Sequence, residues 1–445
     1  MSNPRPPRLI RAAAAPALAA LLLASFGLFF SQETAPPQSP VIRITGAGRP
    51  KIPIAIPPFE GADLSKARDA AATLHDVIRD DLLFSNYFAM VPEEYYKTVA
   101  PFTDRKASYR DWSGIGAEAV LVGKTRPDTG DDLQFEGRVY DMSDERLGLG
   151  KGYRGGADQL RLLAHRMSDE IVLHYTSNRG IAMTRIAYVS QVDRAREVFV
   201  MDYDGARVKK VTANGSINRS PAWSPDGKMI AFVSLRSGSP RLMLINSDGV
   251  LKIAFPQSGE LNGAPTWSPD GRLVAFSSGR DGNAEIYTLR VSDGTLTRLT
   301  RHDAIDTSPA WSPDGRSIAF TSDRGGSPQI YVMDADGGSV RRLPVDLSYS
   351  DAPSWSVGPN EAIAFTARVP GGFDIYTYEM KSGALTRLTT GAAINEYPRW
   401  SPDGRHVVFA SNRSGAMDIY SMDANGDHVR RLTKGGNNTY PAWSN

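Results

Sequence analysis

The sequence predicts a two-domain protein, a small N-terminal α+β domain followed by a six-bladed β-propeller. Three observations carry this. Tryptophans stand at 223, 267, 311, 355, 400 and 443, with spacings of 44, 44, 44, 45 and 43 residues. A period in the forties is the mark of a propeller array. Pro-x-Trp-Ser-Pro-Asp-Gly recurs from Pro221, Pro265, Pro309 and Pro398, while the copy at Pro353 has lost its Pro-Asp-Gly turn. Before residue 183 no such period exists, and strand-like and helix-like patterns alternate.

The first element is a targeting signal. Arg5, Arg8 and Arg11 precede an apolar stretch from Ala12 to Phe30. A basic region followed by an apolar one has the layout of a secretory signal, expected over 1–31. A membrane anchor is the alternative, although Pro16 shortens the uninterrupted run. Residues 32–40 are polar and proline-rich and read as flexible chain.

Residues 41–178 read as the α+β domain. Val41–Thr45, Ile52–Ile56, Ala119–Gly123, Leu133–Tyr140 and Leu147–Tyr153 have strand patterns. Leu64–Phe84 has helical spacing, as does Asp158–Tyr175, whose inner side is expected to carry Leu162, His165, Met167 and Ile171. Asn178–Gly180 is the expected linker, and the propeller is expected over 183–445.

Within each repeat a short strand carries the tryptophan, and Ser-Pro-Asp-Gly makes a tight turn. An apolar strand such as Ile318-Ala-Phe follows, then a third such as Ile330-Tyr-Val-Met, then a fourth ending Arg-Leu-Thr. Four strands make one blade. Ile186-Ala-Tyr-Val-Ser is a second strand with no tryptophan strand before it, and Pro441-Ala-Trp-Ser is a tryptophan strand with no second strand after it. Paired, they complete a sixth blade and remove both exposed edges.

Composition narrows the chemistry. The chain has 445 residues, 41% hydrophobic and 22% charged, with net charge +2 and no cysteine. Disulfides, thiolate metal sites and cysteine nucleophiles are therefore excluded. Nothing in the charge balance asks for nucleic acid. The six histidines (75, 165, 174, 302, 406 and 428) show no metal-ligand spacing and read as core or surface residues. No Gly-x-Ser-x-Gly elbow, Walker loop or Rossmann glycine pattern occurs, and no hydrolase domain is expected after Trp443.

Two recurring polar positions remain. Five residues before each tryptophan stand Asn218, Asn262, Asp306, Ser350, Asn395 and Asn438. They are expected on the loops entering the innermost strands, around one mouth of the central channel. They read either as turn-closing residues or as a polar rim for a partner or a cation. After the second strand come Arg236, Arg280, Arg324, Arg368 and Arg413, expected to pair across the hairpin with acids such as Glu285, Asp374 and Asp418. Both sets belong to the end opposite the Ser-Pro-Asp-Gly turns, and less regular loops carry function more often than uniform turns.

The order of secretory signal, small α+β domain and Pro-x-Trp-Ser-Pro-Asp-Gly repeats closing on Pro-Ala-Trp-Ser resembles the TolB family of the Tol-Pal cell-envelope system. Thr184-Arg-Ile-Ala-Tyr-Val-Ser at the domain junction is similar to that family too. The resemblance implies a periplasmic, monomeric protein without catalysis or cofactor. It implies that the lipoprotein Pal docks at the channel mouth, that TolA binds the N-terminus of the mature chain, and that the system maintains the outer membrane and helps it constrict at division. The positions matching the docking loops include Leu261, Asn262, Ala264 and Thr307, joined in the candidate face by Asn218, Asp306, Asp351, Asn395, Glu396 and Asn438. The TolA segment falls on Val41, Ile42, Arg43 and Ile44. Two other classes compete. A propeller hydrolase or lyase would need facing carboxylates, for which Asp306, Asp351 and Glu396 are the candidates. A chaperone-like module is the third.

Overall fold

The computed structural model describes residues 51–62, 65–254, 262–358, 361–391 and 394–445. The signal, the proline-rich segment and the Val41–Thr45 strand lie outside the described residues. Among those described, no helix is long and apolar enough to cross a membrane.

The N-terminal elements are β1 (Ile52–Ala55), β2 (Glu60–Gly61), α1 (Ser65–Phe84), β3 (Phe88–Met90), α2 (Glu93–Tyr96), α3 (Lys106–Gly114), β4 (Ala119–Pro127), β5 (Leu133–Asp141), β6 (Arg146–Gly155) and α4 (Leu160–Thr176). The sheet runs β3-β1-β4-β5-β6. β1 is parallel to both neighbours, and β4 to β6 form an antiparallel meander. Leu74 and Ile78 of α1 and Met167 and Ile171 of α4 are sealed against Ile54, Leu121 and Phe135 on one face. Tyr109 and Trp112 of α3 cover Val120 and Tyr140 on the other. β3, α2 and α3 were not foreshadowed by periodicity; all three are short, and α3 is held by single anchors such as Trp112, whose indole donates to the Ala100 carbonyl at 3.0 Å. The inner face of α4 is also rotated from expectation. Leu163 and Ala164 are buried in the core, whereas Leu162 is only half-buried. α4 ends at Ser177, whose left-handed φ of 59° stops the helix. Asp169 then accepts the Ala182 and Met183 amides at 2.8 and 3.1 Å, fastening the start of the propeller to this helix.

The propeller has six four-stranded sheets. Blades 1 to 5 open on the innermost strands Asn218–Trp223, Asn262–Trp267, Asp306–Trp311, Ser350–Trp355 and Asn395–Trp400. Blade 6 is composite. Thr439–Trp443 pairs with Arg185–Val192, placing Trp443 opposite Ile186, and Ala195–Asp202 and Lys209–Lys210 complete it. Each Ser-Pro-Asp-Gly turn is built the same way. Ser312 donates to Asp314 at 2.6 Å, the Arg316 amide donates to the same carboxylate, and Gly315 takes φ 71°.

The blades are bolted to one another by buried polar groups. The acid that opens the third strand accepts from the threonine of Arg-Leu-Thr: Thr300 to Glu285 at 2.5 Å, Thr389 to Asp374 at 2.7 Å, Thr433 to Asp418 at 2.8 Å. The same threonine oxygen receives an amide, as from Ile286 at 2.9 Å. The arginine of that motif pairs with the acid too: Arg298 with Glu285, Arg387 with Asp374, Arg431 with Asp418. Into this nest reaches the residue five before the next tryptophan. Asn395 donates to Asp374 at 2.7 Å, Asn438 to Asp418 at 2.9 Å, and Asn218 to Glu197 at 3.0 Å, each joining one blade to the preceding one. All three acids and all three asparagines are 2% exposed or less. A buried carboxylate is tolerated only when its oxygens are satisfied.

Removing one bolt therefore leaves a buried acceptor short of a donor. Asn395→Ala is expected to lower unfolding free energy by about 1–3 kcal/mol, read by denaturant titration. An unchanged midpoint would show that the bolt adds nothing.

Candidate functional site

The six innermost strands share a distortion at the end away from the Ser-Pro-Asp-Gly turns. Between the fourth residue before each tryptophan and the one just before it, the register with the second strand slips by a bulge in every blade. Ser220, Ala264, Ser308, Ala352, Tyr397 and Tyr440 consequently take φ between 44° and 57°. None is glycine, and each precedes a proline, which disfavours helical backbone for its neighbour. Sixfold strain of this kind persists only where surrounding contacts enforce it, and bulges of this kind re-aim side chains.

Around the strained ring stand three tiers. Outermost, six residues before the tryptophan, are Ile217, Ile305, Tyr349 and Ile394; Ile217 is 42% and Ile305 52% exposed, and the other two are half-buried. Next come the buried bolts. After them Arg219, Gly263, Thr307, Asp351, Glu396 and Thr439 are half-buried at the mouth. Asp351 accepts from Thr321 of the preceding blade at 2.8 Å and from Tyr349 at 3.3 Å. Burial, and then the charge of Asp351, push the Glu396 carboxyl above its ordinary value. Tyr397 and Tyr440 pack with ring centroids 4.3 Å apart. Deeper, Arg399 donates to the Pro398 carbonyl at 2.9 Å, and burial brings its guanidinium down to about 10.

The opposite end is a different place. A cavity of about 460 Å³ there is lined by Trp223, Trp267, Trp311 and Trp443 and bordered by Gly180 and Ile181 of the linker.

Several sequence expectations change. Asn218, Asp306, Ser350, Asn395 and Asn438 do not form a solvent-facing rim, since all are 2% exposed or less. They face into the blades because the polar groups of the preceding blade need them there. Leu261 and the side chain of Asn262 lie outside the described residues, as do Val41, Ile42, Arg43 and Ile44. Ala264, Thr307, Asp351 and Glu396 stand half-buried at the mouth. The loop arginines do not pair with Glu285, Asp374 and Asp418, whose oxygens the Arg-Leu-Thr arginines already hold. Instead Arg324 binds Asp306 at 2.8 Å and Arg413 binds Asn395 at 2.9 Å, each lying over two aromatic rings. Asp306, committed to Arg324 inside blade 3, does not stand with Asp351 and Glu396 at the mouth. The apolar tier of Ile217, Ile305, Tyr349 and Ile394 was overlooked. Its signal was available as an apolar residue at constant offset within polar, turn-rich loops.

Comparison with known proteins gives the lineage. The family model described as the TolB beta propeller domain matches residues 173–369 and 348–445, and that of the TolB amino-terminal domain matches 40–147. The Tol-Pal system protein TolB of Desulfosudis oleivorans is 36% identical over 207 residues, 45% of this chain and 47% of that protein. That of Roseobacter denitrificans is 35% identical over 228 residues, 50% of this chain and 51% of that protein. The chain thus spans about half the length of the curated relatives it matches. The crystal structure of TolB from Acinetobacter baumannii superposes with a TM-score of 0.75 at 30% identity, over 88% of this chain and 96% of that one. With the amino-terminal and propeller domains present in that order, the chain belongs to the TolB family.

Proposed function

We propose that this chain is a non-catalytic, periplasmic docking component of a Tol-Pal system. In this reading it holds the lipoprotein Pal on the bulged mouth of the propeller and TolA through Val41–Ile44, supporting outer-membrane integrity and constriction at division. The observation that carries the docking face is the apolar tier around that mouth, of which Ile217 and Ile305 are exposed. Four large apolar side chains at one repeat position surround half-buried Thr307, Asp351 and Glu396. Exposed apolar side chains that recur around one mouth offer contact area to a partner. The bulged ring beneath it supports the same reading, because bulges of this kind re-aim side chains next to functional sites. The system itself comes from the curated relatives, which carry its name.

Calorimetry with purified Pal tests the face. Ile305→Asp and Thr307→Arg are each expected to weaken binding at least about tenfold, as central interface positions do. Leu385→Ser, exposed on the outer edge of blade 4, is expected to leave affinity unchanged. Absence of binding by the wild-type chain would reject the reading, and full affinity in both mouth variants would move the face elsewhere.

Deleting Val41–Ile44 is expected to abolish TolA capture while leaving Pal affinity intact. Equal loss of both would argue against separate sites.

A further inference from the structure

The N-terminal helices meet blade 6 at a buried polar cluster that the docking face does not use. Asp81 of α1 and His165 of α4 are 5% and 1% exposed, and Asp202 and Tyr203 of blade 6 are 4% and 1% exposed. His165 Nδ1 lies 2.8 Å from Asp81 Oδ2, and the Tyr203 hydroxyl donates to Asp81 Oδ1 at 2.6 Å. On the far side of the ring, His165 Nε2 has no hydrogen-bond partner and faces Asp202 Oδ2 at 3.8 Å. Arg207 grips both oxygens of Asp202, at 2.6 and 2.9 Å. Arg161 of α4 pairs with Asp204. Arg430, exposed on blade 5, donates to the Asp204 carbonyl. Tyr203 packs edge-on to His165, with Phe84 on its other side, and Phe84 stacks on His406 of blade 5 at 4.0 Å.

Charge decides what this cluster is. Asp81, Asp202 and Asp204 supply three negative charges, and the guanidinium groups paired with them, Arg161 and Arg207, supply two. A neutral imidazole would leave the buried Asp81 carboxylate, held among the described residues only by the ring and the Tyr203 hydroxyl, without a cation, and Nε2, as an acceptor, aimed at another acceptor. An imidazolium supplies that cation, donates to Asp81 from Nδ1 and sets a second charged N–H 3.8 Å from Asp202. A metal ion is the poorer occupant, because both carboxylates beside Nε2 are already held by arginines. We infer that His165 is a proton-operated lock between the N-terminal domain and the propeller: charged, it ties Asp81 of one to Asp202 of the other, and neutral, it lets the interface loosen.

The electrostatic environment supports this. Burial pulls the His165 value down, but the hydrogen bond and charge of Asp81, with Asp204 and Asp202, outweigh it and leave the value raised. A raised folded value means that the contribution is complete below the ordinary 6.5 and is lost as pH rises through the folded value. Asp169, four residues along the same helix, is pushed up to about 6, chiefly by burial. It acts in the same direction but at lower pH, so the two are separable.

Two measurements on the full chain test the lock. Histidine ring resonances followed by NMR should show one imidazole, identified by its loss in His165→Gln, titrating above 6.5; titration at or below 6.5 overturns the inference. The chain has no cysteine, so Asp111→Cys and Lys381→Cys can carry spin labels on the two domains. The interlabel distance distribution should broaden between pH 6 and pH 9. In His165→Gln, which cannot be charged, it should already be broad at pH 6. An equally narrow, pH-independent distribution in both proteins overturns the lock. So does a wild-type thermal midpoint raised by zinc at pH 8.5 and not raised in His165→Gln, since that would make Nε2 a metal ligand.

Discussion

The pairing of Thr439–Trp443 with Arg185–Val192 is the constraint on which the rest of the molecule depends. A ring of blades leaves only short, protected sheet edges, and this pair is the seam that closes the ring. Blade 6 is therefore assembled from the two ends of the propeller segment. It is also where the N-terminal domain attaches, because Arg185 follows the linker directly. Trp443 donates its indole to Thr184 at 2.8 Å, and Ser444 exchanges hydrogen bonds with Arg185. Ring closure, linker fastening by Asp169 and the His165 cluster all meet at one blade.

Within the ring, the forces that hold neighbouring blades together are partly polar, and this explains how a conspicuous repeat position was misread. An asparagine or aspartate in a loop usually closes its own turn. Here it leaves its own blade to satisfy an acid in the preceding one. The acid exists because the threonine and arginine of the fourth strand need an acceptor, and the asparagine exists because the acid has a lone pair to spare. At Asn218, Asn395 and Asn438 the pattern is a circuit of mutual satisfaction rather than a row of ligands. Blade 3 departs from this, pairing its opening residue within the blade. Its opening residue is Asp306, which burial pushes upward and which Arg324 holds.

Legibility followed the range of the interaction. Ser-Pro-Asp-Gly, the tryptophan spacing and the split blade depend on near neighbours or on a strict period, so the blade count and closure could be read directly. α1, β4, β5 and β6 had periodicity long enough to stand out. β3, α2 and α3 did not, because each is short and is specified by tertiary anchors such as Trp112. At the mouth, Thr307, Asp351 and Glu396 are half-buried on the innermost strands, a position their fixed offset from the tryptophans made readable. The buried status of Asn218, Asn395 and Asn438 could not be read, since it depends on groups 20 or 21 residues away in another blade. The left-handed ring was equally hidden, because Ser, Ala and Tyr before proline give no local sign of positive φ.

Repetition raises a problem that the departures from it solve. A ring with six equal positions would offer a partner six equal orientations. The apolar tier and the bulge are nearly uniform, so they can supply contact area and rigidity but not direction. The half-buried tier is not uniform. It runs Arg219, Gly263, Thr307, Asp351, Glu396, Thr439, with Arg219 in blade 1 facing Asp351 in blade 4 across the ring. The two acids are neighbours, and the arginine stands opposite them, so the mouth has a charge direction. Complementary charge fixes register and encounter orientation more than it adds affinity. The division of labour then follows from chemistry: repeated apolar groups for adhesion, unrepeated charged groups for alignment, and buried polar bolts to keep both in place.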